Sequence, residues 1–190
     1  MSALATKLMT AEEFALRPKP ANGSREELVR GEIVTMPPPS FRHGEIQTNI
    51  VCLIQPYARK NKLGRVTVES GVKTEEDPDT VRGPDVAFWG VEQLPVGKTP
   101  LVYAEFPADL VVEVLSPSNS HRKLASKVRE YLEHGTKLIW VVDPNERNVT
   151  VYRTAEEGRL LWESATIDGE DVLPGFECQV SEFFAEGWSN

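Results

Sequence analysis

Apolar residues recur along this chain at two periods. Ile46, Ile50, Leu53, Ile54 and Tyr57 fall at i, i+4, i+7, i+8 and i+11, one face of a helix. Ser40 is placed to cap that helix, His43 lies in its first turn, and Pro56 is expected to bend or end its last turn. Leu124, Val128, Tyr131 and Leu132 make a second stripe, with Ser118, Asn119 and Ser120 as candidate caps and Gly135 as the stop. A short helix near the start is opened by Thr10 and Glu13 as a capping box. The other period is that of strands. "GRVTVESGVKT" alternates like one half-buried strand, whereas "DLVVEVL" and "KLIWVVDP" are continuously apolar, the pattern of strands covered on both faces. "ELVRGEIVTM" reads as two strands around Arg30-Gly31, "PDVAFW" as another, and "NVTVYR" with "RLLWESA" as an antiparallel meander. "EEDPDTVRG" reads as a polar loop, and residues 90–108 as a Pro- and Gly-rich connection.

Helix, strand, strand, strand, helix, strand is the order of an α/β sandwich, a mixed β-sheet flanked by helices with β-hairpins added. The chain carries no repeat or low-complexity segment. Its 190 residues fit a single domain, with an N-terminal helix and hairpin at 1–40, a core at 41–144 and a C-terminal meander at 145–190.

Composition narrows the classes. Hydrophobic residues make up 40% and no apolar run approaches the ~20 residues that span a bilayer, so no membrane role is expected. The N-terminal stretch lacks a continuous apolar segment of the signal-peptide kind, and a cytoplasmic location is expected. Cys52 and Cys178 lie in apolar patterns without metal-ligand spacing and are read as buried free thiols. The net charge of −8 resides in residues 154–190, which hold nine acids and one arginine. Two locally basic segments, 57–74 and 121–137, can meet phosphates, while the global charge argues against tight nonspecific DNA binding.

Three polar residues stand out in this pattern. Asp85 opens the "PDVAFW" strand, Glu113 interrupts the apolar run "VVEVL", and Lys127 borders the packed stripe of the following helix. A lone buried carboxylate costs several kcal/mol unless something pairs with it. Two carboxylates on adjacent strands can converge on one divalent ion, and a nearby lysine can offset their repulsion or orient a water. The competing reading is a structural charge network without metal. His43 is either a packed helix-start histidine or a proton-transfer group. Glu27 is either a further metal-shell carboxylate or a solvent-facing hairpin residue. His121 and His134 are read as surface residues, Trp89, Trp140 and Trp162 as core or sheet-face packing, and Trp188 as uninformative.

On "ELVRGEIV", "PPSFRHGEI", "RGPDVAFW", "DLVVEVLSPSNS" and "KVREYLEHGTKLIWVVDP" the sequence resembles the PD-(D/E)xK nuclease superfamily and, within it, the small bacterial Uma-type restriction endonuclease family. The resemblance implies a restriction-endonuclease-like fold and hydrolysis of DNA phosphodiester bonds with Mg²⁺ or Mn²⁺. Asp85 and Glu113 match the acidic metal ligands, with the backbone carbonyl of Val114, and Lys127 matches the catalytic lysine. Glu27 and His43 match polar positions around them. The chain departs from the superfamily at Leu115, where an ExK motif would carry lysine on the face of Glu113. It departs again at Lys123, an added positive charge that can depress the pKa of Lys127 or contact phosphate. The alternative to an endonuclease is a catalytically inactive module of the same fold that binds or assembles. A homodimer is expected on base rates alone.

Overall fold

The computed structural model describes residues 8–116 and 121–187, with His121 described only in its backbone. The candidate caps Ser118, Asn119 and Ser120, the His121 side chain and Trp188 therefore lie outside the described residues. Strands β1 (Arg25–Val29), β2 (Glu32–Met36), β3 (Gly64–Val68), β4 (Val72–Glu75), β5 (Thr80–Arg82) and β6 (Val86–Gly90) come first, followed by β7 (Leu110–Val114), β8 (Leu138–Asp143), β9 (Asn148–Tyr152), β10 (Gly158–Trp162), β11 (Thr166–Gly169) and β12 (Leu173–Gln179). The helices are α1 (Ala11–Ala15), α2 (Phe41–Lys60) and α3 (His121–His134). A six-stranded mixed sheet runs β10-β9-β8-β7-β6-β3, in which only β7 and β8 pair in parallel. A four-stranded antiparallel sheet runs β2-β1-β5-β4, and β11 pairs with β12.

Strand alternation sorts the two faces of the larger sheet. Phe88, Leu110, Val112 and Trp140 pack with Ile46, Ile50 and Ile54 of α2, whereas Ala87, Val111, Ile139 and Val141 pack with Val128 and Tyr131 of α3. Both β7 and β8 are covered on both faces, which is why their sequences are apolar throughout. Glu113 shares the face of Val111 and is thereby turned toward α3. Thr10 and Glu13 form the expected capping box, Ser40 Oγ accepts from the His43 N–H, and Gly135 stops α3 at a φ of 111°, open to glycine at little cost.

Several readings need correction. "GRVTVESGVKT" is two strands in two different sheets, because Glu69 turns at a φ of 48° and donates its N–H to the Pro84 carbonyl, taking the chain out of the larger sheet. The polar stretch 75–83 contains β5, a short strand between β1 and β4 with Thr80 and Val81 buried. Helix α2 continues past Pro56 to Lys60; the proline takes away the N–H that would meet the carbonyl of Cys52, a residue exposed enough for water to take its place. Cys52 is accordingly not buried, since it points away from the stripe of Ile50 and Ile54, whereas Cys178 is buried. His134 is half-buried rather than a surface residue, and Trp162 is exposed while Trp89 and Trp140 are buried. The hairpin β11/β12 and the 3-10 turn Val180–Phe184, whose bounds the sequence pattern does not give, add Leu173, Phe176, Phe183 and Phe184 to the α2-side core.

Among the described residues no helix is long and apolar enough to cross a membrane.

Candidate active site

Antiparallel pairing of β6 with β7 sets Val86 against Val112, so continuing the register by one residue brings Asp85 opposite Glu113. Both are buried. Asp85 stands just before β6, where its backbone carbonyl accepts from Gln47 Nε2 of α2 at 2.6 Å. Its Oδ2 accepts the Val114 N–H at 2.7 Å, and its Oδ1 meets His43 Nε2 at 2.9 Å and Arg25 Nη1 at 2.8 Å. Arg25 also touches the more exposed Glu69 at 3.2 Å.

Glu113 is held from α3. Lys127 Nζ lies 2.8 Å from its Oε1 and 2.9 Å from its Oε2, and the Tyr131 hydroxyl donates to Oε1 at 2.9 Å. The spacing of four between Lys127 and Tyr131 sets both on one side of the helix, with the ammonium 5.9 Å from the tyrosine ring centre. That ammonium also reaches Glu27 Oε1 of β1 at 3.0 Å. Glu27 in turn accepts the Gly83 N–H at 3.1 Å and pairs with Arg82 at 3.0 Å. Arg82 forks onto Glu130 of α3, and Glu130 also accepts from Thr74.

Of the residues singled out from sequence, Asp85, Glu113, Lys127, Glu27 and His43 are brought together at one end of the larger sheet, where the four-stranded sheet meets it. Lys123 is exposed on α3. Sequence reasoning missed Arg25, Arg82 and Glu130 and took Tyr131 for core packing alone. Arg82 could have been suspected from its place in "VRGPD" and Tyr131 from its phase with Lys127; Arg25 carries no local signal.

The charges do not balance. Leaving aside His43 and the more exposed Glu69, Asp85, Glu113, Glu27 and Glu130 face Arg25, Arg82 and Lys127, one negative charge more than the three cations offset. Burial pushes Asp85 and Glu27 up, but hydrogen bonds and charges outweigh it: His43, the Val114 N–H and Arg25 hold Asp85 below its ordinary range, and Lys127, Arg82 and the Gly83 N–H do so for Glu27. Glu113 absorbs the surplus. Its burial, opposed by Lys127 and reinforced by the charges of Asp85 and Glu27, lifts it to about 7. Burial also acts on Lys127, but its carboxylate partners keep the amine firmly protonated.

The donor set suits a hard divalent cation. Carboxylates of Asp85 and Glu113 are the oxygen ligands such ions take, and a surplus negative charge at Glu113 is what a cation would relieve. Among the described residues no three His, Cys, Asp or Glu side chains gather as a metal cage.

Glu113 gives stability a distinctive pH dependence. Its folded-state pKa lies above the ordinary value, so its contribution is present in acid and is lost as pH rises through about 7. Asp85 and Glu27 have the opposite sign and lose their contribution as pH falls below the usual carboxylate range. The metal-free protein is therefore expected to reach its highest Tm near pH ~5 and to lose several degrees by pH ~8. Calorimetry in EDTA across that range checks it; a Tm that rises throughout would mean that Glu113 is ionised well below neutrality.

Residues 11–181 match the Uma2 family, described as "Putative restriction endonuclease". The fold is similar to a crystal structure from Anabaena variabilis, described as that of "a putative nuclease", with a TM-score of 0.80 and 23% identity over 93% of this chain and 97% of that one. That likeness carries the architecture, a restriction-endonuclease-like α/β fold. No curated protein matches the sequence.

Proposed function

The chain belongs to the Uma2 family, and on that footing we propose that it is a metal-dependent endonuclease, one domain throughout, that hydrolyses DNA phosphodiester bonds. The observation that carries the reading is the buried pair Asp85 and Glu113 with one negative charge more than Arg25, Arg82 and Lys127 offset. Asp85 and Glu113, with the backbone carbonyl of Val114, would hold Mg²⁺ or Mn²⁺. A divalent ion held there lowers the pKa of a water and neutralises charge growing on the phosphate.

The protein's own groups do the rest. Lys127, fixed by Glu113 and Glu27, keeps its proton and presents a positive charge to the phosphate oxygens as they gain charge. It takes the part of the lysine that Leu115 has displaced from the strand. Tyr131 orients Glu113 through its hydroxyl, and His43 and Arg25 orient Asp85. Glu27 anchors Lys127 rather than facing solvent. Lys123, exposed one turn before Lys127, contacts substrate phosphate. The enzyme works as a homodimer in the cytoplasm.

One observation favours the second reading, a fold of this kind that binds or assembles without cutting. Every carboxylate oxygen of Asp85 and Glu113 already accepts a hydrogen bond or ion pair from the protein. A divalent-ion titration separates the two. Mn²⁺ at ~100 times its Kd should stabilise a real site by about 2.7 kcal/mol. For a chain of this size that is a rise in Tm of roughly 5–10 °C. No shift at millimolar Mn²⁺ or Mg²⁺ would support the non-catalytic network.

A further inference from the structure

A cavity of about 450 Å³ lies beside the catalytic centre and shares walls with it. Arg25, Glu27 and Arg82 line the cavity, and the same three side chains touch Asp85, Lys127 and Glu130. Another part of its lining is aromatic, the rings of Phe14 and Tyr103 stacked with centroids 6.2 Å apart. The volume is in the range that takes small ligands, ~300–1,000 Å³. Its lining joins flat apolar surface to hydrogen-bonding groups of both signs, the combination that suits a heterocycle with donors and acceptors on its edge.

We infer that this cavity receives one unstacked nucleobase next to the scissile phosphate, so that the substrate is single-stranded nucleic acid or a nucleotide extruded from a duplex. The inference rests on the nuclease reading above. A phosphate at Asp85 and Glu113 carries a nucleoside on each side, and Arg25 spans the distance from Asp85 to the cavity. In an intact duplex both faces of a base are stacked and its pairing edge is occupied, so a recess at the side of the centre can be filled only by a base out of the helix. Single strands offer such bases without the cost of unpairing, and aromatic walls hold them with little regard to sequence.

Gly83 supplies a clean test, because it lines the cavity and a Cβ built on it meets no atom within 4 Å. Gly83→Leu therefore fills the recess while keeping the backbone N–H that holds Glu27. Tyr103→Ala removes part of the aromatic wall. Binding is measured in EDTA by fluorescence anisotropy with a labelled single-stranded DNA, its RNA counterpart and the blunt duplex, and Tm is recorded with and without Mn²⁺. The expected result is that wild type prefers a single strand, and that both substitutions weaken it about tenfold or more, the scale of one stacked base, with the Mn²⁺ shift in Tm retained. Single-strand and duplex affinities both unchanged in Gly83→Leu overturn the cavity's role while leaving the nuclease reading standing; duplex bound as tightly as single strand, and weakened in Gly83→Leu, supports a base extruded from the helix. Wild type that binds none of the three and shows no Mn²⁺ shift overturns both.

Discussion

Lys127→Met is expected to lower cleavage by roughly 10²-fold or more and to make the metal-free protein markedly less stable above neutral pH. The first effect is the loss of one transition-state charge partner. The second follows from the position of the ammonium, 2.8 Å from Glu113 and 3.0 Å from Glu27. Methionine keeps the length of the side chain but takes away the cation that Glu113 and Glu27 share, leaving the Tyr131 hydroxyl on Glu113, and Arg82 and the Gly83 N–H on Glu27. Breaking a buried pair from one side costs about 3–5 kcal/mol. For 190 residues that is a fall in Tm of roughly 6–20 °C at pH ~8. The loss should shrink near pH ~5, where Glu113 is neutral already. Plasmid cleavage with Mn²⁺, run at a temperature where circular dichroism shows the variant folded, together with Tm at both pH values, reads the two effects separately. A variant that cuts as fast as wild type would remove Lys127 from the chemistry; one that loses cutting without losing stability would mean that the amine stands in solvent.

Glu113→Gln is expected to do the reverse to stability while also abolishing cleavage, by about 10³-fold or more. The amide keeps an oxygen for the Tyr131 hydroxyl and removes the surplus charge, leaving Asp85, Glu27 and Glu130 against Arg25, Arg82 and Lys127. Tm at pH ~8 should equal or exceed that of wild type, the decline between pH ~5 and ~8 should flatten, and Mn²⁺ should no longer stabilise. Differential scanning calorimetry with and without Mn²⁺ suffices. A fall of many degrees at pH ~8 would show that the ionised Glu113 is a structural necessity, and the metal reading would lose its main support.

The parts of this molecule legible in the sequence are those whose signal is local. The helical stripes of α2 and α3, the double-sided apolar runs of β7 and β8, and the turn at Arg30-Gly31 each sit within a short window. Asp85, Glu113 and Lys127 were legible because each breaks or borders such a window. What could not be read depends on distant pairing. Arg25 meets Asp85 across 60 positions, and Arg82 meets Glu130 across 48. No spacing rule reaches that far. The alternation of "GRVTVESGVKT" continues through a change of sheet, because the pattern records which face is buried and not which strand lies alongside. The C-terminal hairpin was obscured by its acids: Glu170, Asp171 and Glu177 stand among Leu173, Phe176 and Cys178, whose every-second or every-third burial is hard to see in a charged stretch.

The hairpin of β1 and β2 meets β5 through the pair Leu28 with Val81, and the Gly31 N–H at its turn donates to the Asp79 carbonyl at 2.8 Å. The moorings on its side toward the larger sheet include Arg25 on Asp85, and Glu27 on Lys127 and Arg82. The groups that would do chemistry thus also act as the clasp that fastens this hairpin to the larger sheet. A substitution chosen to silence the centre loosens the clasp, and whatever neutralises the clasp frees an arm that carries two of the centre's own walls.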